Sequence, residues 1–300
     1  MSRRRKGRDV HGVLLLDKPP GFSSSQAVQK VRWLFQARKA GHTGSLDPFA
    51  TGMLPICLGE ASKTAGFMLD ASKSYSAKAV LGQATETGDI EGEISREEPV
   101  PELERAEIEA VFTEFLGATQ QVPPMYSALK HKGQPLYKLA REGREVSREA
   151  RAITIYSLEL MDWKPPVLEF RVHCSKGTYI RTLAEDMAAK LGSCAHLQAL
   201  RRLEVEPFGE QGMIGLEQLE AMAEAGTIDS SLLPVDAGLS DWPLVRLEGE
   251  GLKRFSHGNP VEGISADPGL VRVYGPEEIV LGLAEVDSGQ CLRPKRLFKY

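Results

Sequence analysis

The sequence predicts an α+β protein with a small β-rich module at its C-terminal end. Three patterns carry the prediction. Residues 75–81 alternate, with Tyr75, Ala77, Ala79 and Leu81 on one face and Ser76, Lys78 and Val80 on the other, as in a half-buried strand. Residues 153–161 and 167–174 read as two further strands joined through Trp163-Lys164-Pro165-Pro166, with Leu168, Phe170, Val172 and Cys174 facing one way. Between such strands lie helical segments. Ala27, Val28, Val31, Leu34 and Phe35 recur at helical spacing behind the N-cap serines Ser23–Ser25, and 102–116 and 216–224 are also helix-like.

Taken in order, residues 1–9 are basic and expected to form a disordered tail. Residues 10–16 read as a buried strand, broken by Asp17-Lys18-Pro19-Pro20-Gly21. Gly41 is expected to stop the first helix, and 41–63 to be a loop pressed into the core. Residues 60–69 are helix-like, 83–101 loop-like and acidic, and Gly117 closes the helix that precedes it. A basic insert over 124–151 interleaves Lys and Arg with Tyr126 and Tyr137. The proline- and glycine-marked stretch 231–244 separates a large domain, 10–240, from a small one, 245–300, of glycine-punctuated short strands.

With 42% hydrophobic and 26% charged residues, the 300-residue chain has the composition of a soluble globular protein. It has no run of eighteen apolar residues, and its N-terminal segment lacks the apolar stretch and cleavage site of a signal peptide, so no membrane span and a cytoplasmic location are expected. The four cysteines are scattered, which points away from disulfides and zinc. There is no phosphate-binding glycine loop, no convincing dinucleotide fingerprint and no His/Cys cluster, so no cofactor and no metal are expected. The net charge of −4 hides segregation: residues 127–151 carry seven Lys or Arg against three Glu, while acids gather between 86 and 109. Such a surface attracts RNA locally.

The stretch GHTGSLDPFATGMLPICLGEASK, residues 41–63, holds one acid, Asp47, among Gly41, Gly44, Pro48, Gly52 and Pro55. Glycine permits backbone angles and approaches that a β-carbon blocks, and proline fixes φ. A carboxylate held this rigidly, with apolar neighbours, suits a nucleophile, a general base or a structural cap, although an Asp-Pro pair alone is also an ordinary turn opener.

The run from Gly44 to Leu54 resembles the G-x-L-D-x-x-A-x-G-x-L signature of RNA pseudouridine synthases, and in detail is similar to the bacterial TruB family, which converts a uridine in the T loop of tRNA. The resemblance implies a catalytic core on a mixed, mostly antiparallel sheet, RNA lying in its cleft, and Asp47 as the single catalytic aspartate. L-D-K-P-x-G at 16–21 resembles the family's first motif, in which Lys18 and Pro19 brace the catalytic loop; Gly44 and Gly52 are structural. K-x-Y at 73–75 implies that Tyr75 packs on the target uracil. T-x-T-G-D at 85–89 sets Asp89 near the base pocket. K-G-T-Y-I-R at 176–181 gives Tyr179 a hydroxyl contact and Arg181 the role of keeping Asp47 ionised. Leu200, in Leu200-Arg201-Arg202, becomes an apolar wall of the pocket, and His42 fills the space left by the flipped nucleotide. The insert is akin to the family's thumb, where Lys130, Lys132, Arg141 and Arg144 would contact phosphates. The C-terminal strands resemble a PUA-type RNA-binding domain. The implied activity is conversion of the T-loop uridine at tRNA position 55 to pseudouridine by a monomer that needs only the tRNA T stem-loop as partner. A tRNA-folding chaperone with secondary catalysis and a guide-RNA-dependent synthase are the alternatives.

Overall fold

The computed structural model describes residues 7–209 and 212–300. The run GVLLLDK forms the buried first strand, β1 (Gly12–Lys18). Helix α1 (Ser24–Leu34) follows, opened by a capping box in which Ser23 N–H donates to Gln26 Oε1 at 2.9 Å and Gln26 N–H donates to Ser23 Oγ at 3.3 Å. Then come β2 (Ala40–His42), β3 (Thr51–Leu58), α2 (Ala65–Met68) and β4 (Lys73–Leu81). A short hairpin of β5 (Gln83–Thr85) and β6 (Ile94–Glu97) precedes α3 (Arg105–Glu114) and β7 (Gly117–Gln121). The basic segment holds the ribbon β8 (Lys130–His131) and β9 (Gln134–Pro135), then α4 (Leu136–Arg141). The long pair β10 (Arg151–Lys164) and β11 (Val167–Cys174) leads to α5 (Ile180–Lys190), β12 (Ala195–Val205), β13 (Ile214–Gly215) and α6 (Leu216–Glu224). The last part is β14 (Leu244–Arg246), α7 (Gly249–Ser256), β15 (Gly269–Tyr274), β16 (Val280–Val286) and β17 (Leu292–Leu297).

Among the described residues the main sheet runs β13-β1-β3-β12-β4-β11-β10-β7, with β2 added beside β3. Within this sheet only the β1–β13 and β3–β12 pairs among the described residues are parallel, so the α+β class and the mixed, mostly antiparallel sheet are as expected. The period of two explains the unbroken apolar runs of β1 and β3. Leu14, Leu16, Leu54, Ile56 and Leu58 enter the main core with α1, α3, α5 and α6, while Val13, Leu15, Met53 and Cys57 enter a second core on the opposite face. That second core also contains Val280, Leu283 and Phe298, so the C-terminal four-stranded sheet, β14-β15-β16-β17, covers the far side of these central strands. Buried Asp236 fastens it further, accepting from Tyr274 Oη at 2.8 Å and Arg272 Nη1 at 3.2 Å.

Several local expectations are corrected. The first helix stops at Leu34, capped by Phe35, and Gln36 turns the chain with φ 51°; Gly41 lies instead in β2. The 41–63 stretch is a loop only between β2 and β3, and Pro55 sits inside β3. Acidic 83–101 contains a hairpin. Of the expected tail, residues 1–6 lie outside the described residues, whereas 7–9 are pinned: Arg8 N–H donates to Gln36 O at 2.6 Å, and the Arg8 side chain pairs with Asp229.

Gly52 marks the closest approach in the sheet. Its φ is +95°, and a β-carbon there would lie 2.2 Å from the Arg202 carbonyl oxygen of β12. Gly52→Ala is expected to cost about 2–5 kcal/mol, read as a lowered urea midpoint, because backbone strain and an immovable clash add.

Candidate active site

The β3–β12 parallel contact is short, Thr51 to Arg201 and Gly52 to Arg202, and the loop entering β3 carries Asp47 to this seam. Next to it, β12 and β4 pair so that Arg202 lies opposite Tyr75 and Leu200 opposite Ala77. Residues directly opposite in an antiparallel pair share a face. Tyr75 and Leu200 are both buried there.

Asp47 Oδ2 is 3.0 Å from Arg181 Nε, and the carboxylate side chain is 38% exposed whereas that of Arg181 is 4% exposed. The carboxyl therefore reaches an opening while its counterion is walled in. Tyr179 is the N-cap position of α5, and a two-way amide clasp fixes that corner: Tyr179 N–H donates to Gln121 Oε1 at 2.8 Å, and Gln121 Nε2 donates to Tyr179 O at 3.1 Å. Two residues later, in the first turn of α5, Arg181 points back. Its Nη1 donates to Thr87 O at 2.6 Å and stands 3.5 Å from Asp89 Oδ2, and its Nη2 donates to Tyr126 O at 2.7 Å. Arg181 thus joins the loop of Asp47, the turn of Asp89 and the root of the basic insert. Asp89 is itself buried and held by Thr87 Oγ1 at 2.6 Å and Glu91 N–H at 3.1 Å, both donating to Oδ1.

Lys18 is wholly buried and spends its ammonium on carbonyls: Phe22 O at 2.7 Å, Pro19 O at 2.9 Å and Pro48 O at 3.1 Å. Through Pro48 it holds the residue after Asp47. Burial pushes it down to about 8, with Asp47 opposing. His42 lies in β2, where its Nδ1 accepts from Gly44 N–H at 3.3 Å, and burial followed by Arg202 pushes its ring down. Burial pushes Asp47 above the usual carboxylate range and Asp89 adds to this, while Arg181 and Lys18 oppose it. The Tyr75 and Tyr179 phenols are raised by burial, opposed at Tyr75 chiefly by Arg202 and at Tyr179 chiefly by Ser127.

The structure therefore gathers Asp47, Asp89 and Arg181 by direct contact, with Tyr75 and Leu200 on the adjoining strands. Lys130, Lys132, Arg141 and Arg144 lie apart, exposed on the insert, and Arg141 stacks 5.7 Å from the Tyr137 ring. Arg202 was not singled out by the sequence, although it follows Leu200 by two residues, the strand period, and so shares its face. Among the described residues no set of three or more His, Cys, Asp or Glu side chains converges as a metal site would need.

Two family models cover most of the chain: TruB family pseudouridylate synthase (N-terminal domain) matches residues 32–180, and tRNA pseudouridylate synthase B C-terminal domain matches 181–240. The chain belongs to the TruB family of pseudouridylate synthases. A third model, pseudouridine synthase II TruB, C-terminal, matches 243–298. Full-length relatives named tRNA pseudouridine synthase B agree. That of Nitrosococcus oceani is 49% identical over 99% of this chain and 97% of its own, and that of Ectopseudomonas mendocina is 50% identical over 98% and 97%. Among solved structures, a Cbf5-Nop10-Gar1 complex superposes with TM-score 0.73 at 25% identity, covering 96% of this chain and 85% of its own. An H/ACA RNP bound to a substrate RNA containing 2′-deoxyuridine gives 0.74 at 22%, covering 100% and 92%. These likenesses show a shared fold. No helix among the described residues is long and apolar enough to cross a membrane.

Proposed function

We propose that this enzyme isomerises the uridine at position 55, in the T loop of tRNA, to pseudouridine, with Asp47 as its catalytic residue. The observation that carries the reading is the Asp47–Arg181 pair, 3.0 Å apart with the cation buried and the acid open, in a chain of the TruB family.

The reaction breaks a C–N glycosidic bond and forms a C–C bond to the same base. It needs no net redox change and no phosphate, so one carboxylate suffices. Three routes use a single carboxylate: addition to C6 of the base, attack on C1′ of the ribose, or assistance to a glycal intermediate. All three need an everted uracil that can turn before it recombines. Eversion costs a few kcal/mol, least from a loop already partly unpaired. In this reading Tyr75 packs on the uracil and offers a hydroxyl for the late proton transfer, Leu200 is the apolar wall, and Tyr179 contributes a hydroxyl contact. His42 takes the vacated space in the RNA, and Asp89 helps to orient Arg181. The C-terminal module acts as a PUA-like RNA-binding domain. The enzyme works on tRNA in the cytoplasm as a monomer without a protein partner.

The test is to map pseudouridine in an unmodified tRNA transcript incubated with the purified protein. Conversion at position 55 alone, without guide RNA or added protein, is the expected result. No conversion without a guide RNA would favour the guide-dependent alternative, and free uracil with an abasic site would mark a glycosylase.

Lys130, Lys132, Arg141 and Arg144 are proposed to bind phosphates. Replacing all four by Gln is expected to flatten the dependence of log Kd on log salt by roughly 3, since each contact contributes about 0.7–0.9. Titrations at several ionic strengths check it. An unchanged slope places these cations off the RNA.

A further inference from the structure

Arg202 is 1% exposed and heads the fully buried side chains of this protein by volume. Its guanidinium donates to three backbone carbonyls: Nε to Met53 O at 2.7 Å, Nη2 to Gly44 O at 3.2 Å and Nη1 to Ser45 O at 3.4 Å. A buried cation is costly unless well bonded, so a site that keeps one gains something by it. Two of the three carbonyls belong to the residues just before Leu46 and Asp47. The third is in β3, just after the loop. The fork therefore spans both ends of the loop that presents the carboxylate. Arg202 also stands opposite Tyr75 in the β12–β4 ladder, on the same face.

We propose that Arg202 is a positioning residue for the isomerisation, clamping the Asp47 loop at Gly44, Ser45 and Met53 and orienting the Tyr75 hydroxyl. The inference rests on the reading of Asp47 and Tyr75 given above. Arg181 holds the carboxylate by its oxygen; Arg202 holds the backbone that carries it. A guanidinium presents its donors in a rigid planar fork that spans separated carbonyls, whereas an ammonium is a compact charge with rotatable donors. Arg202 is also the largest influence opposing the rise that burial imposes on the Tyr75 phenol, consistent with its charge facing that hydroxyl. Being buried, it has no surface to offer RNA.

The test compares wild type with Arg202→Ala and Arg202→Lys in single-turnover pseudouridine formation on a tRNA transcript, alongside tRNA Kd by filter binding. Both variants are expected to bind tRNA within about threefold of wild type. The rate falls about 100-fold in Arg202→Ala, the scale set by a misplacement of about 1 Å, and at least about tenfold in Arg202→Lys. Millimolar guanidinium restores part of the Arg202→Ala rate, whereas tetramethylammonium at equal ionic strength does not. A wild-type rate in Arg202→Lys overturns the clamp, and so does a loss of rate matched by an equal loss of affinity. A folded Arg202→Ala that guanidinium leaves unrescued also counts against it. If Arg202→Ala fails to fold, Arg202→Lys alone decides. An inactive wild type would instead refute the function on which this inference stands.

Discussion

Asp47→Asn is expected to lower pseudouridine formation on the order of 10⁴-fold, the scale seen when one member of a catalytic group is removed. Its affinity for tRNA should stay within about threefold, because in the proposed function the carboxylate reacts with the base and does not hold the phosphates. The same substitution should leave thermal stability unchanged or raised. Asp47 sits above the usual carboxylate range because burial and Asp89 disfavour its charge, and Arg181 would still face Asp89 at 3.5 Å after the charge is gone. A carboxylate kept against its own desolvation adds nothing to folding, as the proposed catalytic role would have it. Calorimetry beside single-turnover kinetics separates the two roles. A variant that melted several degrees lower and lost RNA affinity as well would make Asp47 a structural cap. Mass spectrometry must show that the amide persists, and Asp47→Ala should give the same result.

The sequence carried the family better than the geometry of its site. Tyr75 and the strand after it were legible because one face of β4 is buried and the other is not, so alternation appears directly. The same period is hidden in β3, where all but Thr51 are buried, since residues facing either way meet a core. With Gly52 and Pro55 inside it, β3 read as loop. Pro55 is tolerated because its carbonyl accepts from Thr43 N–H at 3.2 Å, so that position is used through its acceptor, not its missing donor. Gly41 looked like a helix stop, yet Gln36 took the left-handed turn first, an option open to a polar residue at some cost. Arg181 was legible at the strand-to-helix corner, but its bond to the Tyr126 carbonyl joins residues 55 positions apart, and no local pattern reports that. Arg202 was missed for a related reason: three carbonyls from distant positions cannot be read from residue types.

Arg181→Met should have the largest structural effect of any single substitution at the site. The 4% exposed guanidinium faces Asp47 and Asp89, and it also draws Glu185 down against the rise that burial causes. Removing a buried partner of this kind costs roughly 3–5 kcal/mol, a large part of a typical folding free energy. The pH dependence fixes the cause. Asp47 and Glu185 already have folded-state values above their ordinary ones, and losing Arg181 moves them higher. A carboxyl whose folded pKa exceeds its unfolded one binds protons more readily when folded. Its folded form therefore gains stability as pH falls through that raised value and is penalised above it. The melting temperatures of wild type and Arg181→Met should accordingly lie farthest apart near neutrality and converge on acidification. A gap that widened with acid would mean that these acids are not what the guanidinium neutralises. Activity should fall about 10²–10³-fold near neutral pH, with its acidic limb displaced to higher pH because Asp47 then takes up a proton sooner. Arg181→Lys restores the charge but not the fork, so it should regain much of the stability while remaining slow. A single ammonium cannot reach the Asp47 carboxylate, the Thr87 carbonyl and the Tyr126 carbonyl together, and so cannot register the basic insert against the Asp47 loop.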